Sequence, residues 1–230
     1  MKKSLLIIAF LSLLFVIPTG LKAQEWSAGL DIYSSYIWRG LKFGTGAAFQ
    51  PSVEFSAGGF AVGGWGNFST GGDEGAEADL YASYSFDLSE NASLGFTFTD
   101  YYFPPAMYFD KNSHFLEPMV SLGLGGFSFD AAYMFYDGAG DGDASGDLYL
   151  QAGYSFGAFD IGIGGGNGQY SMEEVKDDGT MEDDKFEISN ISIGTSKEIK
   201  ISETFSLPVS GSVIWNPSSE QFYVVVGISL

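Results

Sequence analysis

Apolar and polar residues alternate with a period of two along most of the chain after residue 24. The pattern is clearest where Ala78, Leu80, Ala82, Tyr84 and Phe86 alternate with Glu77, Asp79, Tyr81, Ser83 and Asp87. Successive side chains of a β-strand point to opposite faces, so this period predicts strands with one apolar and one polar face. This part of the sequence has no apolar stretch long enough for a membrane-spanning helix.

Twelve segments show this alternation, and turn residues separate them. They cover residues 26–38, 49–56, 60–69, 77–87, 94–98, 116–124, 127–135, 148–156, 159–163, 186–193, 205–215 and 222–230. Short connections at 57–59, 89–91, 125–126, 157–158 and 199–203 alternate with longer ones at 40–46, 70–76, 104–113, 137–146 and 171–185. This arrangement is typical of bacterial outer-membrane proteins. It predicts an all-β fold, a transmembrane antiparallel up-and-down β-barrel of about 12 strands with both termini on the short-turn rim.

The tenth segment changes phase in its middle. Phe186 and Ile188 occupy even positions, whereas Ile191 and Ile193 occupy odd ones. One extra residue in a strand produces such a shift, so we predict a β-bulge near Asn190.

Aromatic residues occupy both ends of the predicted apolar face. They are Trp26, Phe55, Phe60, Phe86, Phe127, Phe156, Phe159 and Phe205 at the short-turn end, and Trp38, Phe68, Phe135, Phe186, Trp215 and Phe222 at the long-loop end. A soluble β-sandwich or a lipocalin-like barrel would show the same alternation with its apolar face inward. The two aromatic rings, and a strand number too high for a small self-filled barrel, favour the membrane barrel.

Residues 1–23 have the pattern of a secretory signal peptide. Lys2 and Lys3 precede an apolar stretch at 5–16, and Ala23 stands at the expected cleavage site. The alternative, a transmembrane anchor, requires a longer apolar stretch to cross a hydrocarbon core of about 30 Å. We therefore predict a signal peptide at 1–23 and one outer-membrane barrel domain at 24–230.

The charge of the chain is strongly negative. It has 29 acidic and 10 basic residues, a formal charge of −19, and no cysteine. Nucleic acid is therefore not expected as a partner, and disulfides and thiolate metal sites are excluded. Ten carboxylates fall on the predicted lumen face: Asp31, Glu54, Glu77, Asp79, Asp87, Glu117, Asp130, Asp147, Asp160 and Glu187. Such a lumen attracts cations if it is open, or solvates the interior of a plugged barrel.

Arg39 is the only arginine in the sequence. Strand direction predicts that it lies at the outer mouth of the lumen with Gln50, Asn67, Glu77 and Asp79. A guanidinium facing the carboxylates of Glu77 and Asp79 would form a charge-assisted network. Two roles remain open for this network: it fixes the geometry of strands and loops, or it forms a constriction that selects solutes.

His114 is the only histidine, and Ser113 precedes it. A nucleophile and its base must lie within hydrogen-bonding distance, but adjacent residues of a strand point to opposite faces. We therefore expect His114 to be a surface residue at the level of the lipid headgroups, and we expect no enzymatic activity.

Two acidic loops were considered as metal sites. Asp141, Asp143 and Ser145 resemble the start of a calcium loop, but Ala152 stands where the bidentate glutamate belongs. These three residues are weak candidates, and we predict no metal site. The second acidic loop, at 173–184, is typical of a solvated segment, with weak binding of divalent cations beside lipopolysaccharide phosphates as the alternative.

Five motifs follow one another between Leu30 and Pro104. They are Tyr36-Ile37-Trp38-Arg39-Gly40, Gln50-Pro51-Ser52-Val53, Gly63-Gly64-Trp65-Gly66-Asn67, Glu77-Ala78-Asp79-Leu80-Tyr81 and Tyr101-Tyr102-Phe103-Pro104. In this order they resemble the TorF-type porin family of outer-membrane barrels, over about a third of the chain. The resemblance implies a porin-like role and supplies no established substrate.

These observations together favour a small, porin-like passive channel in the bacterial outer membrane, with an acidic, cation-preferring lumen. The alternative is a closed structural or adhesive barrel whose acidic loops are the working surface; a lipid-modifying enzyme is a more distant one. The expected partners are outer-membrane lipid and lipopolysaccharide, the barrel assembly machinery, and small solutes or cations. No cofactor is expected.

Overall fold

The computed structural model describes residues 24–71, 76–138, 145–171, 174–175, 181–182 and 185–230. The predicted signal peptide at 1–23 lies outside the described residues. Twelve long strands form the main sheet: β1 (Gln24–Tyr33), β2 (Ala48–Ala57), β3 (Phe60–Ser69), β4 (Glu77–Ser89), β5 (Ala92–Tyr102), β6 (His114–Leu124), β7 (Phe127–Tyr133), β8 (Leu148–Ser155), β9 (Asp160–Gly166), β10 (Glu187–Lys200), β11 (Ser206–Asn216) and β12 (Gln221–Ser229).

Each strand pairs antiparallel with the next one along the chain, and the first strand pairs with the last. Between β1 and β12, Asp31 lies opposite Ser229 and Tyr33 lies opposite Gly227. The sheet thus closes on itself with no free edge, and the predicted 12-stranded antiparallel up-and-down barrel is confirmed. Within the described segments, no helix is long and apolar enough to cross a membrane.

The outer wall of the barrel is apolar and exposed. Leu80 is 52% exposed and Val224 is 63% exposed, although both lie in the middle of long strands. Exposed aromatic residues lie at both ends of this wall, among them Trp26, Phe127 and Phe156 at the short-turn end and Phe68, Trp215 and Phe222 at the long-loop end. A soluble barrel would bury its apolar face, so this surface is one that faces lipid.

A bulge interrupts the pairing of β9 with β10. Gly164 lies opposite Asn190 and Gly165 lies opposite Ile188, which leaves Ser189 as the extra residue. The predicted bulge near Asn190 is therefore confirmed, and the phase shift of the isoleucines in this segment follows from it.

The first strand is shorter than predicted. It ends at Tyr33, and Tyr36–Trp38 pairs with Leu41–Phe43 as a separate two-stranded hairpin, here called the inner hairpin. Its two turn residues, Arg39 and Gly40, have φ angles of 52° and 83°. A two-residue hairpin turn with both φ angles positive is of type I′, and it matches the twist of its strands. The prediction of one continuous strand to Trp38, with Trp38 facing lipid, is wrong.

The remaining described elements are short. Tyr136–Asp137 extends the sheet beside β6, and Glu174–Val175 pairs with Met181–Glu182. Two 3₁₀ turns, Lys111–Ser113 and Gly168–Tyr170, lie on the long-loop side. The second turn brings Tyr170, which is 1% exposed, against the inner hairpin.

Candidate functional site in the barrel lumen

The inner hairpin lies inside the lumen at the long-loop end. The Tyr36 ring is 5.6 Å from that of Trp65 on β3, and the Trp38 ring is 5.8 Å from that of Tyr101 on β5. The Trp38 ring also packs 5.7 Å from that of Tyr170, in the 3₁₀ turn that follows β9. Aromatic pairs at these distances contribute packing energy in addition to the surface they bury. The hairpin is therefore a packed plug rather than a loose loop.

Arg39, at the tip of the hairpin, forms a bidentate ion pair with Glu117 on β6. Arg39 Nη1 lies 2.6 Å from Glu117 Oε2, and Nη2 lies 2.7 Å from Oε1. Tyr101 donates a further hydrogen bond of 2.9 Å to Glu117, and Arg39 donates one of 2.6 Å to the hydroxyl of Tyr170. The Glu117 residue is only 2% exposed. Fork-to-fork pairs of this kind are among the stronger polar contacts in proteins.

Aromatic faces enclose the guanidinium of Arg39. Its Cζ lies 4.4 Å from the ring centre of Trp38 and 4.6 Å from that of Tyr149 on β8. A cation over an aromatic face is attracted by the ring quadrupole. Burial lowers the pKa of Arg39, but the hydrogen bonds to Glu117 raise it further, so the pKa lies above its ordinary value. Arg39 is therefore a permanent cation held by one carboxylate.

The tip of the hairpin contacts the bulge of β10 and the neighbouring strand β11. Ser189 donates a hydrogen bond of 3.0 Å to the carbonyl of Arg39, and Asn216 on β11 donates one of 3.1 Å to the carbonyl of Gly40. A Cβ atom at Gly40 would lie 1.8 Å from the carbonyl oxygen of Ser189. Only glycine fits this approach, and it also takes the positive φ of the turn.

The sequence-predicted site residues form two groups instead of one. Gln50, Asn67, Glu77 and Asp79 come together on β2, β3 and β4, where Gln50 donates a hydrogen bond of 3.1 Å to Asn67 and Asn67 lies opposite Glu77. Arg39 does not pair with Glu77 or Asp79, as the sequence suggested, because the hairpin carries its guanidinium across the lumen to Glu117. The prediction of that network is wrong. Tyr36 of the same hairpin makes the contact with Glu77 instead.

Below the hairpin, the lumen is an open cavity of about 570 Å³ that reaches the short-turn rim. Ile37, Arg39 and Gly40 form its ceiling. Most of its wall residues are small or polar, among them Ser128, Gln151, Gly153, Asp160, Gly162, Ser192 and Ser212, and a few are large, such as Phe127 and Ile214. We call this space the vestibule. Asp130 pairs with Gln151 across the strands, and Asp87 pairs with Ser93, so carboxylates on other strands share the same polar face.

His114 lies on the outer face, in register with Tyr102. Its Nδ1 is 2.8 Å from Asp100, and its Nε2 contacts the carbonyl oxygen of Tyr108. A carboxylate and a carbonyl oxygen are both acceptors, so each contact is a hydrogen bond when the facing ring nitrogen carries a proton. Ser113 is buried. This geometry agrees with the interpretation of His114 as a residue of the outer surface.

The weak metal candidates gain no support. Ser145 donates a hydrogen bond of 3.4 Å to the carbonyl of Phe135, and Asp141 and Asp143 lie outside the described residues. Among the residues that the structure describes, no group of three or more acidic or histidine side chains is arranged to hold a metal ion.

The closed sheet, its exposed apolar wall and its polar lumen define the class of this protein: it is a 12-stranded β-barrel of the outer-membrane type. Residues 19–207 match the model of a family described as bacterial proteins of unknown function, Gcw_chp. The chain belongs to that family. No curated protein matches it.

Several solved structures are similar to this chain at low sequence identity. One chain, from work on the in-meso crystallization of membrane proteins, is 7% identical with a TM-score of 0.51, and the match covers 90% of this chain and 83% of that one. Outer membrane phospholipase A from Escherichia coli is 12% identical with a TM-score of 0.42, covering 93% and 91%. The outer membrane protein OprD from Pseudomonas aeruginosa is 13% identical with a TM-score of 0.39, covering 92% and 66%. The likeness to the first of these structures concerns the fold alone.

Proposed function

We propose that this protein is a porin-like passive channel of the bacterial outer membrane with a preference for cations, as the resemblance to TorF-type porins implies. The observation that carries this proposal is the charge of the lumen. Its single arginine is neutralised by Glu117, whereas carboxylates such as Asp160 and Glu54 have no basic partner among the described ion pairs. A wet cavity lined with unpaired carboxylates concentrates cations and repels anions.

In this proposal the structure represents the closed channel, because the inner hairpin blocks the lumen at the long-loop end. It contacts strands around the barrel, from β3 to β11, at the long-loop end, while the vestibule is open at the other end. Conduction then requires the hairpin to move away from the strands that it contacts in the lumen. The same observation favours a second candidate function, a permanently closed structural or adhesive barrel.

We also propose that the protein is not an enzyme. The chemistry of lipid hydrolysis requires a base with a free nitrogen near a nucleophile, and both nitrogens of His114 are engaged. Lipopolysaccharide and outer-membrane lipid contact the apolar wall in this proposal, and the barrel assembly machinery inserts the chain.

Neutralising lumen carboxylates should reduce the cation preference. We expect the triple variant Asp87→Asn, Asp130→Asn, Asp160→Asn to shift the reversal potential in a salt gradient towards zero in bilayer recordings, because the fixed negative field is removed. The shift should be largest at low salt, where screening is weak. The matched control, with the same change in net charge, replaces the exposed turn residues Glu90, Glu203 and Glu220 by glutamine. Equal shifts in the two triple variants would contradict a selectivity that is set by the carboxylates of the lumen face.

A further inference from the structure

We propose that Glu77 and Asp79 form a binding site for a divalent cation, with Ca²⁺ as the favoured ion. The site lies inside the lumen, beside the inner hairpin and apart from the Arg39–Glu117 pair. The proposal agrees with a cation-preferring channel but does not depend on it, because the site can bind an ion in a barrel that never conducts.

The first observation is the burial of two acidic residues without a counter-charge. Glu77 is 3% exposed and Asp79 is 7% exposed. They are two residues apart on β4 and therefore share the lumen face. The ion pairs formed within the described part of the chain are Arg39–Glu117, His114–Asp100 and Lys185–Glu187, and none includes these two residues. Buried charges are normally paired or bound to a metal.

The second observation is an oxygen atom without a partner. The Oδ1 atom of Asp79 is buried and has no hydrogen-bond donor. The backbone N–H of Tyr102 donates to Asp79, and the hydroxyl of Tyr36 is a hydrogen-bond partner of Glu77. The two carboxyl groups are themselves neighbours. Two carboxylates offer only acceptors to each other, so a positive species is missing between them.

Two species could fill this position, a shared proton or a metal cation. One shared proton would leave one buried negative charge, and a proton on each carboxyl group would neutralise both charges but would still leave the Oδ1 atom of Asp79 without a partner. A divalent cation neutralises both charges at once. The site is part of a lumen with many more carboxylates than cations, which raises the local concentration of metal ions. We therefore assign the position to the cation.

The atoms that could bind the ion are all oxygens of carboxylate and amide groups, and this chemistry indicates which ion is preferred. Besides the carboxylates, the neutral amides of Gln50 and Asn67 lie on the neighbouring strands, and neither brings a positive charge. Carboxylate and amide oxygens are hard ligands that suit Ca²⁺, whereas copper and zinc prefer imidazole or sulfur. Two carboxylates provide little charge for a calcium site, so we expect a dissociation constant of about 10⁻⁴–10⁻³ M.

The indole of Trp65 provides a direct probe of this site. Trp65 lies opposite Asp79 in the strand register, and its ring is 5.6 Å from that of Tyr36. Terbium is a luminescent substitute for Ca²⁺, and an aromatic ring close to it sensitises its emission. Terbium added to the full barrel in detergent should give saturable emission under tryptophan excitation, and Ca²⁺ should compete for it. Trp65→Phe should lower the emission while calorimetry still detects Ca²⁺ binding.

The decisive comparison uses Glu77→Gln with Asp79→Asn. We expect this double variant to weaken Ca²⁺ binding by at least about tenfold in calorimetry, because both charged ligands are lost. The matched control is Glu54→Gln with Asp31→Asn, which removes two other lumen carboxylates and should bind Ca²⁺ as the wild type does. A gel-mobility difference between folded and boiled samples shows that each variant is folded.

Two results would contradict the proposed Ca²⁺ site. Unchanged binding in the double variant would place the ion elsewhere, on the acidic loops. Absence of Ca²⁺ binding to the folded wild type up to about 10 mM, well above the expected range, would mean that the pair holds only a proton. Either result leaves the channel proposal standing, because that proposal is tested by current rather than by ion binding.

Discussion

Arg39→Ala should destabilise the barrel by about 3–5 kcal/mol, because it leaves the carboxylate of Glu117 buried without a counter-charge. The variant also loses the packing of the guanidinium on Trp38 and Tyr149. The free energy of unfolding can be measured by urea titration in detergent micelles, followed by tryptophan fluorescence. We expect the unfolding midpoint to fall well below that of the wild type.

A double-mutant cycle separates two contributions of Arg39 to the free energy of unfolding, its ion pair with Glu117 and its packing on aromatic rings. Adding Glu117→Gln to Arg39→Ala removes the orphaned charge, so the double variant should recover more than half of the lost stability. Adding Glu77→Gln to Arg39→Ala should give a strictly additive effect, because Glu77 lies on β4 and contacts Tyr36 rather than Arg39. Recovery with Glu77→Gln and none with Glu117→Gln would contradict the ion pair described above.

Gly40→Ala should open the lumen without breaking the barrel wall. The new Cβ atom would lie 1.8 Å from the carbonyl oxygen of Ser189, so the tip of the hairpin has to leave the bulge. The hairpin is a separate two-stranded element, and the twelve strands of the wall keep their own hydrogen bonds. We expect a several-fold increase in cation flux from proteoliposomes, with the barrel still folded by circular dichroism.

Gly58→Ala is the matched control for this substitution. Gly58 has a φ angle of +66°, close to the +83° of Gly40, but a Cβ atom there meets nothing within 4 Å. The control therefore carries the cost of a left-handed conformation, about 1–2 kcal/mol, without the collision. Its flux should equal that of the wild type. Equal flux from both variants would show that the contact between the hairpin tip and the β10 bulge does not control cation flux.

The barrel wall could be predicted from the sequence because one rule governs all of it. A strand between lipid and water must alternate, and the alternation shows where each strand begins, ends and turns. The same rule located the bulge: the isoleucines at 188 and 191 cannot both face lipid unless one residue between them is extra. These features depend on local pattern alone.

The alternation does not reveal the inner hairpin, because the residues of the hairpin continue the pattern of the first strand. Tyr36 and Trp38 extend the phase of the first strand, and an aromatic residue facing lipid looks the same in a sequence as one packed in the lumen. The local indication was Gly40, a residue that accepts the positive φ of a tight turn, between the aromatic-ended segments Tyr36–Trp38 and Leu41–Phe43. Ser34 and Ser35 separate the hairpin from β1, and Ser34 interrupts the apolar phase at an even position.

The partner of Arg39 could not be predicted from local pattern. Glu117 is 78 positions away in the sequence and is one of ten carboxylates on the predicted lumen face. Strand direction limits the choice to one end of the barrel, but it does not tell which side of the lumen the guanidinium reaches. That depends on the length and angle of the hairpin, which are set by its packing on Trp65, Tyr101 and Tyr170.

If an acidic lumen lies behind the inner hairpin, removal of the hairpin should open a cation-selective pathway. The most direct measurement is a planar-bilayer recording, in a salt gradient, of a variant in which residues 36–43 are replaced by a short Gly-Ser linker. Tyr36 and Phe43 are paired neighbours, so the linker has only a small gap to close. We predict little current from the wild type, and steady current from the variant with a reversal potential of cation-selective sign. Equal currents from the two proteins, or a reversal potential of anion-selective sign, would contradict the account.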